Sequence, residues 1–179
     1  METIYFTGYS GVGKSIIGNL LASRKNLKFI DIDSVCEKIE KNTISNIFIE
    51  KGEEYFRKLE SRVLYSNIRQ GMIIALGGGI VKDINNRHFI KKTGKVIYLK
   101  AKSSTIYKNL LNEYEKRPLL KNNFSTIAID KILEEREPYY QELANYVINI
   151  DNKKIEEVLS EVLAIYHTIN KINCRIVIK

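Results

Sequence analysis

The sequence predicts an α/β fold: a three-layer α/β/α sandwich with a five-stranded parallel sheet and a phosphate-binding loop. Three observations predict it. Short β-branched or aromatic runs alternate with longer amphipathic segments along most of the chain, the pattern of a parallel sheet covered on both faces. A glycine-rich turn joins the first such run to the first amphipathic segment. With 179 residues, 44% of them hydrophobic, the chain can bury a sizeable core as one domain without disulfides or metals.

Hydrophobic periodicity places the elements in order. The strands are Thr3–Thr7, Phe29–Ile32, Met72–Leu76, Val96–Leu99 and Tyr146–Ile150, each a short apolar run rich in β-branched or aromatic residues. The first helix, Lys14–Arg24, carries Ile17, Leu20 and Leu21 on one stripe, and Glu53–Gln70 carries Phe56, Leu59, Val63 and Ile68. Helices follow at Ile84–Lys92, Thr105–Tyr114, Ile127–Leu143 and Ile155–Ile169. Ligands of such a sheet gather at the carboxyl ends of its strands. Between two helices, residues 115–123 read Glu-Lys-Arg-Pro-Leu-Leu-Lys-Asn-Asn; so polar and basic a segment is expected to be a mobile loop. The tail 169–179, ending Cys-Arg-Ile-Val-Ile-Lys, has strand-like composition and no assignable role. No repeat or linker interrupts the chain, so residues 1–179 are expected to form a single domain.

Charge narrows the partners. Lys and Arg number 29 against 21 acidic residues, a net charge of +8, which favours an anion of some kind: nucleic acid, an acidic membrane surface, or a phosphorylated or carboxylated small molecule. Cys36 and Cys174 are too far apart for metal-ligand spacing, so a reducing, cytoplasmic setting is expected. The first residues run directly into an apolar strand without a basic leader, and no stretch reaches the ~20 apolar residues of a membrane span. A soluble protein with no membrane partner follows.

The turn after the first strand, Gly8-Tyr-Ser-Gly-Val-Gly13-Lys14-Ser15, fits G-x-x-x-x-G-K-[ST] in the strand-to-helix context that motif requires. Its glycines let backbone N–H groups converge on phosphate oxygens, and the following helix aims its positive end at them. Gly11, Val12, Gly13, Lys14, Ser15 and Ile16 are therefore the expected nucleotide-binding residues. Lys14 would bridge the outer phosphates, and the Ser15 hydroxyl would ligate Mg²⁺, a cation that prefers oxygen. A nucleoside triphosphate with Mg²⁺ is implied. The chain is short for a motor and lacks the Asn-Lys-x-Asp signature of guanine readers, which leaves a small-molecule kinase.

Three further features lie at the same sheet edge. Asp31-Ile-Asp33 closes the second strand, and extended geometry would send both carboxylates to one side. One acid could act on Mg²⁺ through water and the other accept a hydroxyl proton; alternatively, Asp33 caps a helix starting near Ser34. Gly77-Gly78-Gly79 follows the third strand and leaves bare backbone near a ligand. Arginine is scarce, 8 against 21 lysines. Arg57, Arg117 and Arg136 therefore stand out as planar forks able to grip carboxylate or phosphate.

Taken in order, Gly8–Ser15, Asp31-Ile-Asp33, Phe56-Arg57-Lys58-Leu59-Glu60, Gly77–Gly79, Arg117-Pro118-Leu119-Leu120 and Arg136-Glu-Pro138-Tyr139-Tyr140 strongly resemble the shikimate kinase family, over about residues 3–165. The resemblance implies a P-loop kinase of the nucleoside-monophosphate-kinase type with a mobile lid at about 115–123. It implies phosphorylation of the 3-hydroxyl of shikimate by ATP, a step toward chorismate and aromatic amino acids. By matching motif, Asp33 would hold the reacting hydroxyl as base, Lys14 and Arg117 would serve the transferring phosphate, and Asp31 would support Mg²⁺ through water beside Ser15. Arg57 and Arg136 would clamp the shikimate carboxylate, backbone at Gly78 and Gly79 would line the ring, and Phe48 and Phe56 would wall the pocket. Two positions depart from the family: Tyr107-Lys108-Asn109 stands where an arginine often covers adenine, and Ile155 where a proline often lies under the base. ATP and shikimate are the expected small-molecule partners, and a monomer is expected. Two rivals remain open: a kinase of the same fold acting on gluconate or a nucleoside monophosphate, and a basic nucleic-acid module that retains an ATP site, although no stacking-aromatic or helix-turn-helix pattern supports the latter.

Overall fold

The computed structural model of the protein describes residues 2–114 and 125–176. Its strands are β1 (Thr3–Thr7), β2 (Phe29–Asp31), β3 (Ile73–Ala75), β4 (Gly94–Lys100) and β5 (Tyr146–Asn149). All pair in parallel, in the order β2-β3-β1-β4-β5. The helices are α1 (Lys14–Lys25), α2 (Ile32–Glu40), α3 (Ile44–Asn67), α4 (Ile84–Thr93), α5 (Ser103–Tyr114), α6 (Thr126–Leu143) and α7 (Ile155–Ile176), with a 3₁₀ turn at Ile80–Lys82.

Alternation along the strands divides the interior into two cores. Ile4 and Phe6 of β1 join Ile97 and Leu99 of β4 against Ile17 and Leu21 of α1, Ile106 of α5 and Val162 of α7. On the other face Tyr5, Val96 and Tyr98 pack with Cys36 of α2, Phe56 and Val63 of α3, Ile90 of α4 and Tyr140 of α6. β1, at the centre, is buried at every residue, as a strand covered on both faces must be. The expected three-layer α/β/α sandwich and its five-stranded parallel sheet are what the chain forms.

Some expected elements differ. β2 stops at Asp31, and Asp33 lies in the first turn of α2; the two acids are therefore not strand neighbours on one side. The cap is Asp31, whose Oδ1 accepts from Ser34 N at 3.0 Å, so Asp33 is not the cap and its carboxylate is left for other work. The helix expected at Glu53 starts nine residues earlier, at Ile44, where the Thr43 side chain caps it by accepting from Asn46 N. Gly52, at φ 82 and ψ 164, divides α3 into two helical halves and hides the first from a continuous 3.6-residue count. Beyond Thr168 the chain continues α7 through Ile176 instead of forming a strand. With no strand beside it, a helix is the way that segment satisfies its own backbone donors and acceptors. The expected lid at 115–123, with Arg117, lies outside the described residues. Among the described residues no helix is long and apolar enough to cross a membrane.

Candidate active site

The turn between β1 and α1 leaves the sheet at the carboxyl end of its central strand. Gly13, at φ 84, is the residue preceding α1, a left-handed conformation that costs glycine little. A second helix braces the loop: Asn109 Nδ2 of α5 donates to the carbonyl of Gly11 at 2.9 Å. Beside it lies a cavity of about 670 Å³ lined by Gly11, Val12, Gly13 and Ile16 and, across it, by Lys108, Asn109 and Ile155. Tyr107 instead packs against the core. The lining suits a nucleoside: apolar side chains flank a slot that opens at the phosphate loop.

Lys14 is buried and folds back on its own loop, donating to the carbonyls of Gly8 at 2.9 Å and Tyr9 at 2.7 Å. Burial pulls its ammonium down to about 8, while the charges of Asp33 and Asp31 oppose the shift. The Ser15 hydroxyl donates to Asp31 Oδ2, whose other oxygen caps α2. One neutral and one anionic oxygen thus meet beside the phosphate loop, a donor set that fits Mg²⁺ with its remaining positions filled by phosphate and water.

A second cavity, of about 170 Å³, adjoins the loop at Tyr9 and Ser10. Asp33, Phe48, Phe56, Arg57, Gly78, Gly79 and Arg136 all line it, so residues from α2, α3, the glycine run and α6 converge there. Arg57 is held in a fixed plane. Its Nε and Nη2 each lie 3.1 Å from Glu53 Oε1, its Nη1 lies 2.8 Å from Glu60 Oε2, and its guanidinium sits 5.6 Å and 5.3 Å from the Phe48 and Phe56 ring centres. Burial pushes the Asp33 carboxyl up to about 6 against the pull of Lys14, so near neutral pH it is a base poised to change state.

The glycine run is bare for a reason the sequence did not suggest. A Cβ on Gly77 would overlap Glu60 Oε1 and come within 2.6 Å of Asp33 Oδ1, and one on Gly79 would lie 2.5 Å from three atoms of the Arg57 guanidinium. Space kept for the protein's own charged groups, as much as for a ligand, excludes side chains here.

Glu60 was missed as a site residue. It is 1% exposed, its Oε1 has no hydrogen-bond partner among the described residues, and burial pushes it up to about 7 despite the opposing charge of Arg57. Its signal was present: Glu60 falls on the apolar stripe of Phe56, Leu59, Val63 and Leu64, where an unpaired carboxylate is expensive. Tyr140, whose hydroxyl donates to the carbonyl of Gly78 at 2.6 Å, gave no such signal, because a tyrosine on a helix's buried face reads as core.

The family model described as shikimate kinase matches residues 10–167. The curated shikimate kinase of Sulfurihydrogenibium sp. (strain YO3AOP1) is 39% identical over 164 residues, 91% of this chain and 96% of that one. A solved shikimate kinase from Acinetobacter baumannii, in complex with shikimate, superposes with a TM-score of 0.85 at 30% identity, covering 94% of each chain. A gluconokinase from Sinorhizobium meliloti 1021, at 16% identity and a TM-score of 0.54 over 91% of this chain and 90% of that one, shares the fold alone.

Proposed function

The chain belongs to the shikimate kinase family and phosphorylates shikimate with ATP, and we propose that the two adjoining cavities divide the work. ATP occupies the larger, with its base between the apolar side chains of Ile16 and Ile155 and its phosphates on the backbone of Gly11, Val12 and Gly13. Lys14 leaves the carbonyls of Gly8 and Tyr9 for the outer phosphate oxygens. Ser15 and, through water, Asp31 hold Mg²⁺, which when bound neutralises phosphate charge as the bond to the leaving group breaks.

Shikimate occupies the smaller cavity. Its carboxylate meets Arg57 and Arg136, its ring lies against the backbone of Gly78 and Gly79 with Phe48 and Phe56 as walls, and its 3-hydroxyl meets Asp33. In the transfer, the bond from O3 to the γ-phosphorus forms as the β–γ bridging P–O bond breaks. The hydroxyl proton passes to the Asp33 carboxylate and ADP leaves. Arg117 is assigned to the transferring phosphate. The observation that carries this reading is the meeting of Asp33, Arg57 and Arg136 in one cavity that opens at Tyr9 and Ser10 of the phosphate loop: a base for a hydroxyl and two forks for a carboxylate stand beside the phosphate to be transferred.

A coupled assay of ADP release tests it, with shikimate, gluconate and nucleoside monophosphates as acceptors. Turnover confined to shikimate and lost on chelation of Mg²⁺ is expected; equal turnover with gluconate would overturn the acceptor assignment. We read residues 1–179 as one domain, since one sheet supports both cavities.

A further inference from the structure

We propose that Tyr140 is a positioning residue that ties the carboxylate grip of Arg136 to the phosphate loop through the carbonyl of Gly78. The inference rests on the reading of Arg136 given above, and its test separates the two.

The side chain of Tyr140 is completely buried in the core between the sheet and α6, with its ring 5.1 Å from that of Tyr98. A buried phenol needs a partner, and the carbonyl of Gly78, to which it donates at 2.6 Å, is this one's. The nearby charge of Arg136 favours the phenolate, although burial holds the phenol up at about 12. Arg136 and Tyr140 lie four residues apart on α6, so they share one helix face and one turn. Arg136 Nε is itself buried with no partner among the described residues, so the direction of the fork follows the seating of this turn of α6, which the Tyr140–Gly78 bond fixes on the substrate side.

Gly78 lies where three parts of the site meet. A Cβ built on it would sit 3.4 Å from Ser10 N, 3.5 Å from the carbonyl of Gly8 and 3.6 Å from Arg136 Nη1. The carbonyl that Tyr140 holds therefore belongs to a residue that lies between the phosphate loop and the carboxylate fork and lines the smaller cavity with both. Two other groups of the same helix reach away from this point: Glu137 accepts from Tyr98 Oη and from Lys100 Nζ, and Glu142 pairs with Arg87 and Lys91. Those contacts fix α6 to the sheet and to α4. Among these contacts the Tyr140 hydroxyl reaches the substrate side, so its loss should leave α6 on the sheet and loosen the turn that carries the fork.

Tyr140→Phe keeps the ring and its packing and removes this single oxygen. The Michaelis constant for shikimate should rise about five- to tenfold, the upper range of one neutral hydrogen bond, while that for ATP changes less than about twofold. The carboxamide of shikimate, which offers Arg136 no charge, should lose little between wild type and variant. In an Arg136→Lys background, Tyr140→Phe should add less than about twofold, because residues acting through one contact are not additive. Tyr5→Phe, which removes another buried hydroxyl, bonded to Thr93 at 2.6 Å far from the cavity, controls for stability and should leave both constants unchanged. If Arg136→Lys raises the shikimate constant and Tyr140→Phe does not, or if the two effects simply multiply, the positioning role is overturned and the clamp stands. If Arg136→Lys itself leaves the constant unchanged, the clamp fails and this inference fails with it.

Discussion

Replacing Asp33 with Asn should make the ligand-free protein more stable and nearly inactive at once. The Asp33 carboxyl titrates at about 6 in the fold against an ordinary 3.8, because burial between the phosphate loop and Glu60 disfavours its charge more than Lys14 favours it. A carboxyl whose pKa is raised by folding contributes its stability below the unfolded value and loses it as pH rises through the folded one. A shift of about two units corresponds to roughly 3 kcal/mol, withdrawn between about pH 4 and pH 6 and absent at pH 8. The isosteric amide carries no such penalty. Asp33→Asn should match the wild type in thermal unfolding near pH 4 and exceed it at pH 8 by roughly 6–12 °C, taking about 2–4 °C per kcal/mol for a domain this size. The same variant lacks the proton acceptor, so kcat should fall by about 10²–10⁴ with ATP binding retained. Unfolding scans at pH 4 and pH 8, with the ADP-release assay, read both effects. Equal melting temperatures at pH 8 would refute the burial account of Asp33, and a kcat within tenfold of wild type would refute its role as base.

Three other expectations follow from the same geometry. The profile of kcat/KM for shikimate should fall on the acid side through about pH 6, as Asp33 is protonated, and on the alkaline side through about pH 8, as Lys14 loses its proton; a flat profile from pH 5 to 9 would contradict both assignments. Gly79→Ala should push the Arg57 guanidinium, 2.5 Å from the added methyl, out of its plane and raise the shikimate constant by roughly tenfold with ATP affinity unchanged, which calorimetry of each ligand measures. Arg57→Lys should weaken shikimate binding by about 1.5–3 kcal/mol, because a point charge replaces a fork; equal losses for ATP in the same titrations would remove Arg57 from the acceptor site.

The phosphate loop, the strands and the placing of Arg57 and Arg136 in one cavity were legible because each depends on residue type at fixed spacing: Gly13-Lys14-Ser15 after an apolar run, or a rare Arg57 on an amphipathic helix. What escaped depends on how separate segments meet. Asp31 and Asp33 differ by two places in sequence, and only the end of β2 at Asp31 decides that the first caps α2 while the second lies within its first turn. The half-helix Ile44–Lys51 had its cap and its apolar positions, Ile44, Ile47 and Phe48, in plain view. The left-handed Gly52 cut it from the longer pattern. Tyr140 becomes a site residue only when α6 closes over the glycine run, and no local periodicity reports that.

The position of β1 in the sheet has a consequence for synthesis of the chain. Ile4 pairs with Ile73 on one side and Lys95 on the other, so β1 has no sheet partner until some seventy residues later and is not enclosed until some ninety. At about 5–20 residues per second, a strand with Ile4, Tyr5 and Phe6 at its centre waits on the order of ten seconds beside the ribosome with both edges open. During that interval it is a target for holding chaperones and for pairing with the same strand of a neighbouring nascent chain. Slowing translation between residues 8 and 94 should lower the soluble yield, whereas slowing it after residue 100, with β1 already flanked by β3 and β4, should not.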